Sequence, residues 1–526
     1  MNKSDTGVYI GLDLGTSGLK GVALTPGGAV VARASAAYPT RRPVPGACEQ
    51  APQTWIAAVE SVATQLRRAA APERWRGIGL SAMIPTLVTA RSGGEPAGPA
   101  VTWQDSRADP HGEQLRERCG AERLYQITGQ WVDGRYLVPM FLRVAGDEPG
   151  RATGTAWLLA AKDYLFAWLT GEVATDPSTA TGFGCYRLEA GAWDSEVIAA
   201  AAELAGPAVP ALPSLPAVLP ATTCWPLRAE TALRLGCDPI PVCLGAADSV
   251  LGAFGLGVRD SGQVAYIAGT SNVIMGVAGR LLLDPGHRFL VTPLAEPGRW
   301  GLEMDLLATG GAISWLAGLF GDGTDEAALV ALAADVDPRD APLVLPYLSP
   351  GEQGALWDPL LHGAFVGLEL RHGRRHLARG LVNGIVLESR RCLAALDDTR
   401  QFDRELQVAG RGAANPAFRA DLADATRRRV GMPGGHGAAS SARGAALLAA
   451  LAIEGVLPAS AIAAAGTGRE PAPPVAEPDP GRAAMWDELW ASYEHARQAV
   501  SQHYHADPPP QAGKPDAPAR GDGLPS

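Results

Sequence analysis

The first forty residues alternate short apolar runs with small-residue turns. Residues 8–14 (VYIGLDL) are apolar apart from glycine and Asp13, the pattern of a strand buried on both faces. Gly15-Thr16-Ser17-Gly18 follows. Residues 19–24 then read as a second strand, Pro26-Gly27-Gly28 as a tight turn and residues 29–35 as a third strand. The period changes over residues 53–69, where Trp55, Ile56, Val59, Val62 and Leu66 share one side of a predicted helix. Residues 78–80 predict a short strand. Residues 156–170 predict one helix with Gly171 as its C-cap.

The opening pattern recurs. Residues 264–275 are again an apolar strand, a Gly-Thr-Ser turn and a second apolar strand, with Gly269-Thr270-Ser271 standing where Gly15-Thr16-Ser17 stand in the first copy. Two related lobes are predicted, 1–257 and 258–465, each offering a phosphate-sized turn to a cleft between them. A Pro-rich linker over 466–482 follows. Residues 483–505 then carry Met485, Trp486, Leu489, Trp490 and Tyr493 at helical spacing, predicting a terminal helix docked on the body. Residues 506–526 read as a disordered tail.

Composition narrows the function classes. At 526 residues the chain exceeds the size of a single core, and 47% hydrophobic with 19% charged residues is a globular balance. A net charge of −10 argues against nucleic-acid or anionic-membrane partners. No run of about 18 apolar residues predicts a membrane span, and no leader pattern opens the chain, so a cytoplasmic protein is expected. The seven cysteines are scattered, with no CxxC pair, which reads as reduced thiols and not as a zinc site or disulfide frame. Only four lysines accompany 41 arginines, and only Lys20 and Lys162 lie away from the chain ends.

Four windows could carry chemistry. In Asp13-Leu14-Gly15-Thr16-Ser17-Gly18, glycines allow close backbone approach, and hydroxyls and N–H groups can cradle phosphate oxygens. Asp13 ends a buried strand, which suits water-mediated contact with Mg²⁺, and Lys20 could face the phosphates. Asp248 follows an apolar strand and opens a small-residue helix. On that window alone it is first a helix cap, worth about 1 kcal/mol, and second a general base. Gly410-Arg411-Gly412 with Asn415 is a strand-to-helix turn that could equally be bland or lie against a base or ribose. Trp103, Asp105 and Arg107 could line a polyol pocket, or form an ordinary ion-paired loop. His372 and His376 make a poor metal pair, and no GxSxG, HExxH or GxxxxGK[ST] motif is present.

The ordered series IGLDLGTSGLK, WQDSR, AKDYLFAWLTGEVATD, GAADSVLGAFGLG, YIAGTSN, LPYLSPGE, GAFVGLELRHGRRHLARG, VAGRGAANP and ARGAALLA resembles the FGGY carbohydrate kinases. The match runs from about Tyr9 to about Ala450. Within that family it looks most like the xylulose kinases and related pentulose kinases. The resemblance implies an α/β fold of two RNase-H-like lobes, as in the actin/Hsp70/sugar kinase superfamily, with ATP and Mg²⁺ in the interlobe cleft. It also implies a small sugar or polyol substrate, and members are often homodimers. Residue by residue, it makes Asp248 the catalytic base, in contact with the sugar. Asp13 and Gly15-Thr16-Ser17 become the first phosphate and metal motif. Gly269-Thr270 becomes the second phosphate turn, and Gly410-Arg411-Gly412 the adenosine turn. Met83-Ile84 stands where xylulose kinases have Met-His against the sugar, and Trp103, Asp105 and Arg107 match the sugar loop.

The sugar-side motifs depart more than the ATP-side ones. Ile84 replaces the histidine, and Pro139-Met140-Phe141-Leu142-Arg143 and Pro350-Gly351-Glu352-Gln353-Gly354 differ from the family signatures. D-xylulose is the first expected substrate. Ribulose, gluconate, glycerol and erythritol are the alternatives within the enzyme class, and a non-catalytic ATP-binding regulatory protein is the alternative outside it.

Overall fold

The computed structural model describes residues 7–209, 211–269, 271–321, 323–348, 354–358, 360–410, 412–434, 439–458 and 472–506. The opening meander forms as its pattern predicts: β1 (Val8–Leu14), β2 (Gly18–Leu24) and β3 (Val30–Ala37) are antiparallel neighbours. β4 (Trp75–Ala82) lies parallel to β1 on the other side. Next come β6 (Pro241–Ala247), parallel to β4, and the edge strand β5 (Cys224–Pro226). The sheet order is β5-β6-β4-β1-β2-β3.

The second sheet repeats this plan. β7 (Val264–Ala268) and β8 (Asn272–Ala278) are the second hairpin, and β8 is followed outward by β10 (Trp300–Leu306) and β9 (Leu290–Pro293). β11 (Glu405–Gly410) and β12 (Arg429–Gly431) lie parallel on the far side of β7. In each sheet the founding strand thus has an antiparallel run on one flank (β2-β3; β8-β10-β9) and two parallel strands on the other (β4-β6; β11-β12), with β5 added as an antiparallel edge strand in the first. The fold is α/β, built from two such units, and the sequence repeat marks the founding hairpin of each.

Among the described residues four apolar clusters hold the molecule together, and three of them position the two sheets. One lies under the first sheet, where α1 (Pro52–Arg67) buries Trp55, Val59, Val62 and Leu66. A second lies under the other sheet, covered by α3 (Arg374–Asp397) and α4 (Pro416–Thr426). The third joins the two sheets through α2 (Asp248–Gly255) and α5 (Ser440–Glu454). α5 follows the second sheet in sequence but packs on the first. Its carbonyls come so close that a Cβ on Gly11 would stand 1.8 Å from Ala442 O, and one on Gly79 would stand 2.0 Å from Ala445 O. Tyr9 donates its hydroxyl to Glu454, tying the helix end to β1.

The terminal helix α6 (Pro480–Ala506) buries Trp486 and Tyr493 completely. Tyr493 donates to Glu388 of α3 at 2.8 Å. Of the Pro-rich segment, residues 472–479 are described, and Ala476 bridges to Val430 of β12. The tail beyond 506 lies outside the described residues.

One predicted element differs. Residues 157–160 form a strand, Trp157–Ala160, beside Thr86–Ala90, and the helix begins only at Ala161, ending at Gly171 in the left-handed region. A short continuous apolar run such as WLLA satisfies strand and helix patterns alike. All seven cysteines are free, though Cys224 and Cys243 stand opposite each other on β5 and β6. No helix among the described residues is long and apolar enough to cross a membrane.

Candidate active site

Between the sheets lies a cleft of about 870 Å³, open to solvent. Its lining gathers residues from both lobes: Thr16, Ile84, Trp103 and Asp248 from one side, Ser271, Glu303 and Asp305 from the other. Four residues singled out from sequence thus meet in one place, although they are scattered over more than 230 positions of the chain.

Asp248 reaches the cleft because β6 ends there. It is half-buried and stands as the first residue of α2, with Ala247 in the capping position. Its Oδ1 accepts the Ser249 N–H at 3.0 Å, and its backbone carbonyl accepts Ser441 Oγ at 2.9 Å. Burial raises its pKa well above the usual aspartate value, and the negative charges of Asp13 and Glu303 raise it further. A carboxylate held with a raised proton affinity at a cleft wall is suited to accept a proton from a bound hydroxyl.

Asp13 sits at the C-terminal end of β1, buried, opposite Lys20 in the hairpin register. Among the described residues its carboxylate accepts one hydrogen bond, from Ser81 Oγ at 2.8 Å. Burial raises its pKa, opposed by the Lys20 charge and the Ser81 bond. Lys20 itself is exposed on β2. The Gly15–Gly18 turn closes with Gly15 N donating to Gly18 O at 3.1 Å. It presents Thr16 to the cleft, where Thr16 Oγ1 accepts the Trp103 indole N–H at 3.2 Å, and leaves Ser17 exposed.

The second turn closes one residue sooner: Ala268 pairs with Asn272, where Leu14 pairs with Leu19 in the first, and Gly269 N donates to Ser271 O at 2.9 Å. Thr270 lies outside the described residues. Gly410 needs its glycine: φ is +99°, and a Cβ would stand 1.8 Å from Ala268 O. Gly412 packs near Ala268 as well, and Arg411 lies outside the described residues. Asn415 caps α4, its Oδ1 accepting Ala417 N at 2.8 Å and Phe418 N at 3.3 Å. Its side chain is therefore occupied by the helix end.

The sugar-loop residues divide. Trp103 lines the cleft, whereas Asp105 and Arg107 do not. Asp105, 1% exposed, accepts Cys48 N at 2.8 Å and binds Arg107, which also reaches Glu49 at 2.6 Å. Their arrangement is that of an ion pair pinning the loop. Ile84 lines the cleft, while Met83 is buried behind it and donates its N–H to Leu14 O at 2.8 Å.

The structure adds residues that the motif reading passed over. Glu303 and Asp305 alternate on β10 and so share its cleft face. Glu303 accepts Thr292 Oγ1 at 2.9 Å. The alternation in WGLEMDL was readable; which face met the cleft was not. Arg135 also lines the cleft, but its guanidinium is forked onto Asp133, with Nε 3.1 Å from both oxygens. Ser178 and Tyr136 line the cleft as well.

Mg²⁺ fits this set in one way. No group of three or more His, Cys, Asp or Glu side chains among the described residues could hold a metal by itself. A buried Asp13 with one hydrogen bond, near a second carboxylate, suits a cation that keeps several waters and completes its shell with substrate phosphates.

Comparisons with known proteins bear on the family. The chain is 31% identical over 379 residues to a xylulose kinase of Klebsiella pneumoniae, covering 72% of this chain and 76% of the relative. It is 26% identical over 460 residues to a gluconokinase of Bacillus subtilis, covering 84% and 87%. The crystal structure of xylulose kinase from Rhodospirillum rubrum superposes with a TM-score of 0.82 at 28% identity, covering 95% of this chain and all of the other. The N-terminal domain model of the FGGY carbohydrate kinases matches residues 8–255 and the C-terminal model residues 264–453. With both domains matched and a cleft between them, the chain belongs to the FGGY family of carbohydrate kinases.

Proposed function

We propose that this kinase transfers the γ-phosphoryl group of ATP to a terminal hydroxyl of a neutral ketopentose, D-xylulose first among them, with Asp248 as general base. The observation that carries this reading is the placement of Asp248: a carboxylate of raised proton affinity at the wall of an interlobe cleft, beside the Thr16 turn. An alcohol is a poor nucleophile, so the site must align it and take its proton as the phosphoryl group moves. Asp248 takes the proton. Thr16 and the turn around Gly269 flank the path of the phosphates, and Asp13 would hold Mg²⁺ through water. When bound, that cation neutralises phosphate charge. Closure of the lobes around the cleft would exclude water and prevent wasteful hydrolysis.

The charge of the lining supports a neutral substrate. Asp248, Glu303 and Asp305 face the cleft, and Arg135 is already neutralised by Asp133. An aldonate carboxylate would meet repulsion there, whereas hydroxyls find acceptors. The relatives named xylulose kinase point the same way. A second reading, an aldonate kinase, draws on the gluconokinase relative and on Arg135, which could serve a carboxylate if it left Asp133. The test is coupled ADP release with MgATP against D-xylulose, L-xylulose, D-ribulose, L-ribulose, D-gluconate, glycerol and erythritol. One ketopentose is expected to exceed gluconate by at least about tenfold in kcat/KM, a difference of about 1.4 kcal/mol in transition-state binding. Gluconate as the better substrate would establish the second reading. A flat panel with ATP binding intact would favour a regulatory protein.

A further inference from the structure

β6 is bulged just before Asp248. Its register against β4 advances from Cys243↔Gly79 to Ala246↔Ser81, so three steps on β6 meet two on β4. The bulge falls at Leu244 and Gly245, where φ of Gly245 is +79° and a Cβ would stand 1.8 Å from Leu80 O. Such a bulge removes backbone groups from the ladder, and buried backbone groups need partners. Leu244 N and Gly245 N turn to Thr223 O at 2.8 Å and Ala221 O at 3.0 Å. Leu244 O and Ala247 N are taken by side chains instead.

Lys162 Nζ lies 3.3 Å from Leu244 O, 3.1 Å from Asp163 Oδ1 and 3.3 Å from Asp176 Oδ1. Two of these contacts, to Leu244 O and Asp163 Oδ1, are hydrogen bonds, and the third is an ion pair with Asp176; a compact ammonium suits this buried point-charge site better than the planar fork of arginine. This is one of four lysines in a chain of 41 arginines, and its side chain is 1% exposed. The other oxygen of Asp176, Oδ2, accepts the Ser178 N–H at 2.9 Å and also the Ser178 hydroxyl. With its proton committed to Asp176, Ser178 Oγ turns a lone pair to Ala247 N at 3.0 Å. Ala247 is the residue before Asp248.

We infer that Lys162, Asp176 and Ser178 are positioning residues: through Leu244 O and Ala247 N they hold the bulged end of β6 in the one geometry that points the Asp248 carboxylate into the cleft. The inference rests on the assignment of Asp248 as base. Ser178 also borders the cleft, so a direct contact with the sugar is the competing explanation, and the two differ in kinetics. A substrate contact appears in KM for the polyol, whereas a misaimed base appears in kcat.

The test compares Ser178→Ala, Ser178→Thr, Asp176→Asn and Asp248→Asn in the full-length enzyme. Kinetics are measured on the best polyol, with thermal midpoints alongside. Ser178→Ala is expected to lower kcat by about 10- to 100-fold, the scale of a small misplacement of a catalytic group, with KM for polyol and for ATP within about threefold. Ser178→Thr keeps the oxygen and is expected to recover most of the loss. Asp176→Asn replaces an acceptor by a donor toward Ser178 and is expected to mimic Ser178→Ala. If Ser178→Ala does not fold, Asp176→Asn carries the same comparison. A kcat within about threefold of wild type in the folded variant overturns the inference, as does a loss confined to KM for the polyol or one that threonine fails to rescue. Asp248→Asn separates the two levels. An active Asp248→Asn enzyme refutes the base assignment itself, while an inactive one beside an undisturbed Ser178→Ala enzyme refutes only the positioning role.

Discussion

The crossing of α2 and α5 is a close backbone-to-backbone contact on the helix that begins at the proposed base. Gly444 of α5 faces Leu251 of α2: an added Cβ would lie 1.9 Å from Leu251 O, 2.7 Å from Leu251 C and 3.1 Å from Gly255 N. All three neighbours are backbone, so no side chain can swing aside. The reciprocal position, Gly255, would put a Cβ 2.0 Å from Ser440 O. Carbon and carbonyl oxygen rest at about 3.3 Å or more, so Gly444→Ala demands roughly 1.4 Å of separation between the helices. Overpacking of this kind costs about 1–3 kcal/mol. The same shift moves α2, which begins at Asp248 and is bound to α5 through Ser441 Oγ and the Asp248 carbonyl. A displacement near 1 Å at a catalytic group costs on the order of 10²-fold in rate. Gly146→Ala is the matched control. Gly146 lies in the helix Leu137–Asp147 with nothing within 4 Å of the added Cβ, so alanine is expected to be neutral or to stabilise by up to about 1 kcal/mol. Thermal midpoint and kcat are measured for both variants. Gly444→Ala is expected to lose both and Gly146→Ala neither; a Gly444→Ala enzyme with wild-type midpoint and kcat would refute the reasoning.

Three further outcomes follow from the electrostatics and packing. Glu303 raises the proton affinity of Asp248, so Glu303→Gln removes a negative charge and should move the acidic limb of the kcat/KM profile to lower pH; a limb that stays or rises contradicts the coupling. Asp105→Asn weakens the fork holding Arg107 and should lower the thermal midpoint while leaving KM for the polyol within about twofold; a selective rise in that KM would return Asp105 to the sugar site. Trp486 is fully buried where α6 meets the body, with Arg379 over its ring at 5.7 Å. Trp486→Ala should cost about 3–5 kcal/mol and make α6 susceptible to limited proteolysis before the rest of the chain, and undiminished protection would show that α6 is held by other contacts.

Strands and turns with local causes were legible in the sequence. The buried run 8–14 and its repeat at 264–275 were readable because strand burial and Gly-Thr-Ser turns are written in consecutive residues. The small-residue start of α2 placed Asp248 correctly at a strand–helix junction. Residues 157–160 were misread because a four-residue apolar run carries no period. Asp105 and Arg107 looked like pocket residues because their type was visible, whereas their partner Glu49 lies more than fifty positions away. The packing of α5 on β1 joins residues separated by over 400 positions, and only Gly11 on the strand, facing Ala442 and Ala446 on the helix, marks it in sequence. Lys162 drew notice through its rarity, yet its role became visible only with the β6 bulge, which no local pattern announces.

The measurement that tests the central claim most directly is product formation by wild-type and Asp248→Asn enzymes with MgATP and the best polyol, read by coupled ADP release and by detection of the sugar phosphate. The account predicts stoichiometric ADP and sugar phosphate from the wild type, and a fall in kcat of about 10²–10⁴-fold in a folded, ATP-binding Asp248→Asn variant. An Asp248→Asn enzyme that keeps more than about a tenth of wild-type kcat would contradict it.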